Sequence, residues 1–248
     1  MLHPSTSNIY LIAYPRSGSN WLRYCFEYIT KRPACSREDV WDTGAANEEL
    51  LFHLHHANEY GLQNSGGMNN ILLLRNYKEC VYSHLITSGH SDGFAAMDGI
   101  PQLHLKHYQE LIKLYKSLYD PTKSLVIYYE DFVESPDRAL LRLIDYIDSV
   151  APDLAGPLPQ KDDMVRNLED LIDNLSEHRE RCLGGYRGEI PGTVHSGQAL
   201  SSSPTSNDLQ YYSKRSALSD LKRVDLFMYN NMDKNIYDKY LSGYREGE

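Results

Sequence analysis

The 248-residue sequence has no long apolar run: its most hydrophobic stretches, such as Ile71-Leu72-Leu73-Leu74, are strand-sized. A bilayer-spanning helix needs roughly 18–20 apolar residues, so no membrane span is expected. Cysteine is scarce, and the four present (Cys25, Cys35, Cys80 and Cys182) form no C-x-x-C pair. That spacing offers neither a zinc ribbon nor a dithiol redox motif, and it fits a reducing, cytoplasmic compartment. Positive charge is in the minority, 25 Lys plus Arg against 34 Asp plus Glu for a formal charge of -9. This disfavours a nonspecific nucleic-acid or anionic-membrane surface, so any anionic ligand has to be held locally. The opening residues Met1-Leu2-His3-Pro4-Ser5 lack a basic region followed by an apolar stretch, and neither a secretory leader nor a Golgi anchor is expected. Phenylalanine is sparse too, 5 against 20 tyrosines, so apolar walls here carry polar tips.

With 41% hydrophobic and 24% charged residues, residues 1–248 can bury a core as a single domain, which excludes disordered, collagenous and coiled-coil classes. Asn8 to Tyr14 is a β-rich run stopped by Pro15, and Asn20 to Ile29 has apolar residues at helical spacing. Further strands are expected at Leu50 to His55, Asn70 to Arg75 and Ser124 to Tyr129. Helices are expected at Asn76 to Ser88, Pro101 to Tyr119 and Arg138 to Val150, the last behind the cap Ser135-Pro136. After Pro152 the strand signals fade: Asp162 to Arg181 and Lys214 to Met232 read as helices, and Gly184 to Asn207 as a Gly/Ser/Pro-rich lid or flexible loop. Alternation of strand and helix predicts an α/β fold with a central parallel sheet flanked by helices and a helical C-terminal part. In such a fold the ligand crevice lies beyond the carboxyl ends of the strands, where the candidate motifs fall.

The first motif is Tyr14-Pro15-Arg16-Ser17-Gly18-Ser19-Asn20-Trp21, between strand and helix. A helix N-terminus with unpaired N–H groups favours an anion, and glycine lets it approach the backbone. No Gly-Lys pair exists in the chain, so the nucleotide-hydrolysing P-loop pattern is not met. Residues Tyr14 to Leu22 instead resemble the 5′-phosphosulfate loop of the sulfotransferases that use 3′-phosphoadenosine 5′-phosphosulfate (PAPS), close to Tyr-Pro-Lys-Ser-Gly-Thr-Thr-Trp-Leu. Arg16, Ser19 and Asn20 stand where lysine and two threonines are commoner. The resemblance runs from about Asn8 to Tyr146 and implies a P-loop-like phosphosulfate loop in which Arg16, Ser17, Gly18, Ser19 and Asn20 hold the donor and Trp21 stacks on adenine.

The second motif is Leu74-Arg75-Asn76-Tyr77-Lys78-Glu79-Cys80-Val81-Tyr82-Ser83, an arginine at a strand end and a serine eight residues on. A guanidinium fork plus a hydroxyl suits a doubly charged phosphate monoester. It resembles the family's Leu-Arg-Asn-Pro-Lys-Asp-Val-x-x-Ser, which implies that Arg75 and Ser83 bind the 3′-phosphate. Tyr129-Glu130-Asp131-Phe132 resembles a third family segment, implying that Tyr129 contacts adenine, while Glu130 and Asp131 read as structural capping residues. The family's C-terminal Arg-Lys-Gly segment has its nearest match around Arg187, a candidate for closing over the 3′-phosphate.

Leu51-Phe52-His53-Leu54-His55-His56-Ala57 places three histidines at a strand end, where the family carries Lys-Thr-His with the histidine as general base. Aligning the basic residue to His53 selects His55; counting back from Arg75 favours His53, and His56 stays open. Histidine suits proton acceptance near neutrality. The resemblance implies sulfuryl transfer from PAPS, with adenosine 3′,5′-bisphosphate (PAP) as coproduct and no metal, to a hydroxyl or amine of a small molecule. The acidic balance permits a cationic acceptor. The competing readings are a nucleotide or small-molecule kinase, which the missing Gly-Lys pair opposes, and a noncatalytic nucleotide-binding protein, which the histidine-bearing strand opposes. Oligomeric state is not legible in the sequence.

Overall fold

The computed structural model describes residues 5–36, 50–58, 62, 67–90, 93–95, 99–154, 156–183 and 218–245. Strand β1 (Ile9–Ala13) leads through the Arg16 loop into helix α1 (Ser19–Thr30), followed by β2 (Ala34–Ser36), β3 (Leu51–Leu54) and β4 (Asn69–Leu74). Helices α2 (Tyr77–Thr87) and α3 (Ile100–Leu118) precede β5 (Ser124–Tyr128). The short α4 (Tyr129–Glu134), α5 (Pro136–Val150), α6 (Lys161–Asp173) and α7 (Leu175–Leu183) follow, and α8 (Leu218–Asn230) and α9 (Lys234–Tyr240) lie beyond.

All strand pairings are parallel, in the order β2-β3-β1-β4-β5. β1 sits at the centre with every residue buried, which is why its run is apolar throughout rather than alternating. Its side chains still divide by parity. Tyr10, Ile12 and Tyr14 enter a core with residues of α2, α3, α8 and α9, while Ile9, Leu11 and Ala13 enter a second core with residues of α1, α5 and α6. The chain leaves β1 for one side of the sheet and then crosses to β4 on the other, so the crevice above β1 is the switch point of the fold.

The expected α/β architecture is thus present, with several local differences. β2 is a three-residue edge strand, Ala34-Cys35-Ser36, too short and too mixed to carry an apolar pattern. β5 stops at Tyr128 and the chain turns at once into α4, so Glu130 and Asp131 are helical residues, not alternating strand residues. Ser135 precedes the helix whose first residue is Pro136, as its type suggests, yet its hydroxyl makes no capping bond. The helix expected over 162–181 is two, broken at Asn174, and α9 starts where the Asp233 side chain accepts from the Ile236 N–H.

Candidate functional site

The loop after β1 is held in an uncommon backbone shape: Arg16 has φ 69° and Gly18 φ 88°. A non-glycine residue in the left-handed region is costly, and such strain concentrates at functional sites. Glycine at 18 is required on two counts, because a Cβ there would meet the Tyr129 ring at 2.5 Å. Gly18 also starts α1 without any side-chain cap, and the first turn of the helix carries no acidic residue. Its N–H groups therefore stay available to an anion. Ser17 is buried and its N–H donates to the Tyr14 carbonyl at 3.2 Å, Ser19 is buried, and Asn20 is exposed.

The two arginine motifs meet at this loop. Arg75 Nη1 donates to the Arg16 carbonyl at 2.9 Å, and Arg16 Nε donates to Ser83 Oγ at 3.3 Å. Residues 59 and 67 positions apart in sequence are thus joined through one side chain and one backbone group. Arg75 also donates from Nε and Nη2 to Glu79 Oε2, both at 3.2 Å, and lies over the Tyr129 ring at 4.4 Å. Burial and the nearby Arg75 charge lower the Arg16 pKa. Burial raises the Glu79 carboxyl, with Arg75 opposing it. Two guanidiniums meeting at one loop, Arg75 being paired with Glu79 and Arg16 bonded to Ser83, make a site suited to a doubly charged phosphate ester.

Tyr129 stands between the motifs, touching Gly18 on one side and Arg75 on the other. Trp21 is half-buried in the first turn of α1 and stacks on Tyr24 at 5.4 Å and Phe132 at 6.2 Å. Glu130 is structural: its Oε1 accepts from the Asn76 N–H at 2.9 Å and its Oε2 from the Tyr244 hydroxyl at 2.7 Å. Both carboxylate oxygens of Glu130 are thus engaged within the fold.

The histidines separate by environment. His53 is 1% exposed, with neither ring nitrogen hydrogen-bonded, and its ring lies 4.0 Å from that of His55. His55 is half-buried at the end of β3 and its Nδ1 lies 3.2 Å from the Ala13 carbonyl. A carbonyl only accepts, so Nδ1 carries the proton and Nε2 of the neutral ring holds the lone pair. Burial brings the His55 pKa down to about 4, with the Ala13 hydrogen bond opposing and Arg23, His56 and His107 adding to the fall. His56 is exposed and stacks on His107 at 4.4 Å.

Three further histidines that the motifs do not indicate join this group, together with Tyr14 of the first motif. The Tyr14 hydroxyl is 2.8 Å from His104 Nδ1, the His84 and His104 rings are 4.7 Å apart, and His107 Nε2 donates to the His55 carbonyl at 2.5 Å. The available signals were slight: His84 follows Ser83 directly, and His104 and His107 are spaced to share one helix face. Among the described residues no group of three or more His, Cys, Asp or Glu is arranged to hold a metal ion. Arg187 and residues 184–207 lie outside the described residues. Among the described residues no helix is long and apolar enough to cross a membrane.

No protein-family model matches the chain, and no curated protein does. Solved structures do. A mouse sulfotransferase crystallised with PAP superposes with a TM-score of 0.56 at 11% identity, covering 96% of this chain and 90% of its own. A sulfotransferase domain from the curacin biosynthetic pathway gives a TM-score of 0.44 at 12% identity, covering 97% and 92%. A putative steroid sulphotransferase of Arabidopsis thaliana gives 0.41 at 15% identity, covering 79% and 81%. At these identities the mouse structure establishes a shared fold: the parallel sheet with its flanking helices is that of a sulfotransferase fold.

Proposed function

We propose that the protein transfers the sulfuryl group of PAPS to a hydroxyl or amine of a small-molecule acceptor. The observation that carries this reading is the junction at Arg16, whose carbonyl is bound by Arg75 and whose guanidinium is bound to Ser83. Two phosphate-type motifs meet there beside an uncapped helix N-terminus. The mouse protein of the same fold was crystallised with PAP, which supports the donor assignment. Arg75 and Ser83 are assigned to the 3′-phosphate, and Arg16 with the N–H groups of Gly18 to Trp21 to the 5′-phosphosulfate. Tyr129 and Trp21 are assigned to adenine, and Arg187 to closure over the 3′-phosphate.

In the reaction an acceptor oxygen or nitrogen forms its bond to sulfur as the bond from sulfur to the 5′-phosphate oxygen breaks. The electron pair leaves on that oxygen, where Arg16 and the helix N–H groups offset the growing charge. The acceptor's proton passes to His55 Nε2, the nitrogen opposite the Ala13 hydrogen bond. His53, buried on β3, packs against the His55 ring and orients it.

Calorimetric titration with PAP, AMP and ATP tests the donor site. PAP is expected to bind tightest, and Arg75→Ala to weaken it by at least about thirtyfold, the cost of leaving a buried phosphate charge unpaired. Equal binding of ATP, indifferent to Arg75→Ala, would move the reading to a kinase.

A further inference from the structure

Six histidines from three parts of the chain act on one another, His84 also facing Arg16: His55 and His56 after β3, His84 and His90 on and after α2, and His104 and His107 on α3. The rings of His84, His104 and His107 lie 5.8, 6.4 and 5.3 Å from that of Tyr14 and make a wall around its hydroxyl. His84, His104 and His107 are each half-buried, so the wall is within reach of solvent. It opens on a cleft of about 590 Å³ between the 56–58 turn and α3, with His56 and His107 in its lining. Farther along that cleft the lining includes one carboxylate and one ammonium, Glu110 and Lys113, which offset each other.

The ionisable groups that act on the wall are further histidines and Arg16, so a proton on any one ring disfavours a proton on the others. His84 feels His104, Arg16, His56 and His90; His107 feels His56, His104 and His84; His104 feels His90. Burial and this mutual repulsion bring His84 and His107 down to about 4 and lower His104, so all three are neutral at pH 7. A cationic acceptor would find no charge partner in the neutral rings and would still face Arg16. An anion set among the rings would reverse it and draw a proton onto one of them. The net charge of -9 belongs to the chain as a whole and not to this face.

We propose that the histidine wall is the acceptor's recognition surface and that it selects acceptors carrying a carboxylate near the hydroxyl to be modified, taking up a proton as they bind. This inference rests on the sulfuryl-transfer reading above. Attack on sulfur comes from the side opposite the leaving phosphate oxygen, so the acceptor has to lie beyond Arg16 and next to His55. The wall adjoins both groups: His84 faces Arg16, and His107 donates to the His55 carbonyl.

The test is a matched set of phenols, 4-hydroxyphenylacetate, 4-hydroxyphenylacetamide and tyramine, titrated calorimetrically into the full chain loaded with PAP. Proton uptake on PAP binding is measured first and separately, which isolates the donor's own charge. The carboxylate is expected to bind at least about tenfold tighter than the amide, with tyramine weakest. It should take up close to one proton, read from buffers of different ionisation enthalpy, and its advantage should be larger at about pH 6 than at about pH 7.5. The double variant His84→Gln/His104→Gln should reduce the advantage below about threefold while melting normally. Tyramine binding as well as the carboxylate, absence of proton uptake, an unchanged advantage in the double variant, or binding of none of the three would overturn the proposal. If PAP itself fails to bind, the sulfuryl-transfer reading falls first and this inference with it.

Discussion

The base proposed at His55 is prepared by two neighbours and by burial. The Ala13 carbonyl fixes the proton on Nδ1, burial keeps the ring neutral, and His107 holds the His55 carbonyl and with it the strand end. Because the folded pKa is about 4, the ring is already deprotonated at neutrality. The acidic limb of kcat/KM for the donor, which reports the free enzyme, should therefore fall well below the ordinary histidine value of about 6.5. A limb at about 6.5 would contradict the assignment of the base to His55. At this scale the sequence was most legible where function is local. Arg16, Gly18, Arg75, Ser83 and Tyr129 sit in contiguous motifs, and all of them meet at the loop after β1. His84, His104 and His107 were not legible, because α2 and α3 bring them together only by packing.

Among the elements, α2 connects the phosphate motif to the C-terminal helices. It begins directly after Arg75 and Asn76, and its second residue, Lys78, is buried against Asp225 of α8 at 3.1 Å. The Tyr77 hydroxyl donates to the same carboxylate at 2.6 Å, so Asp225 is fully engaged inside the molecule. Replacing Lys78 by methionine leaves that carboxylate buried without its cation, which should cost about 3–5 kcal/mol in a denaturant melt. The double variant Lys78→Met/Asp225→Leu should recover much of the loss, and a single variant with unchanged stability would contradict the pairing. Sequence patterning supplied β1, β3, β4 and β5 and the helices between them, since a parallel sheet demands apolar runs alternating with amphipathic ones. It missed β2, whose three residues carry no period, and it had no means of pairing Lys78 with a carboxylate 147 residues away.

For the molecule as a whole, the sheet is covered on both faces and all the functional strand ends open on one edge. Tyr14, His55, Arg75 and Tyr129 each follow directly or within one residue of a strand. The same crowding of histidines sets an acid limit on stability. His55, His84 and His107 titrate near 4 in the folded chain and near about 6.5 when unfolded, so the unfolded state binds more protons between those values. Stability from this source is complete above about pH 6.5 and is lost as pH falls through about 4. Urea melts should register that decline already between about pH 6.5 and pH 5, where most carboxylates remain ionised; a flat profile there would mean the rings are solvated. The overall α/β architecture could be read from alternation alone, whereas the acceptor side could not, because its chemistry depends on which helices the sheet sets side by side. The most direct measurement is transfer of labelled sulfate from PAPS to acceptors, compared between the wild-type chain and Arg16→Ala. Sulfuryl transfer predicts labelled product formed in step with PAP and nearly abolished by Arg16→Ala. Turnover unaffected by that substitution, or phosphate transferred from ATP in its place, would contradict it.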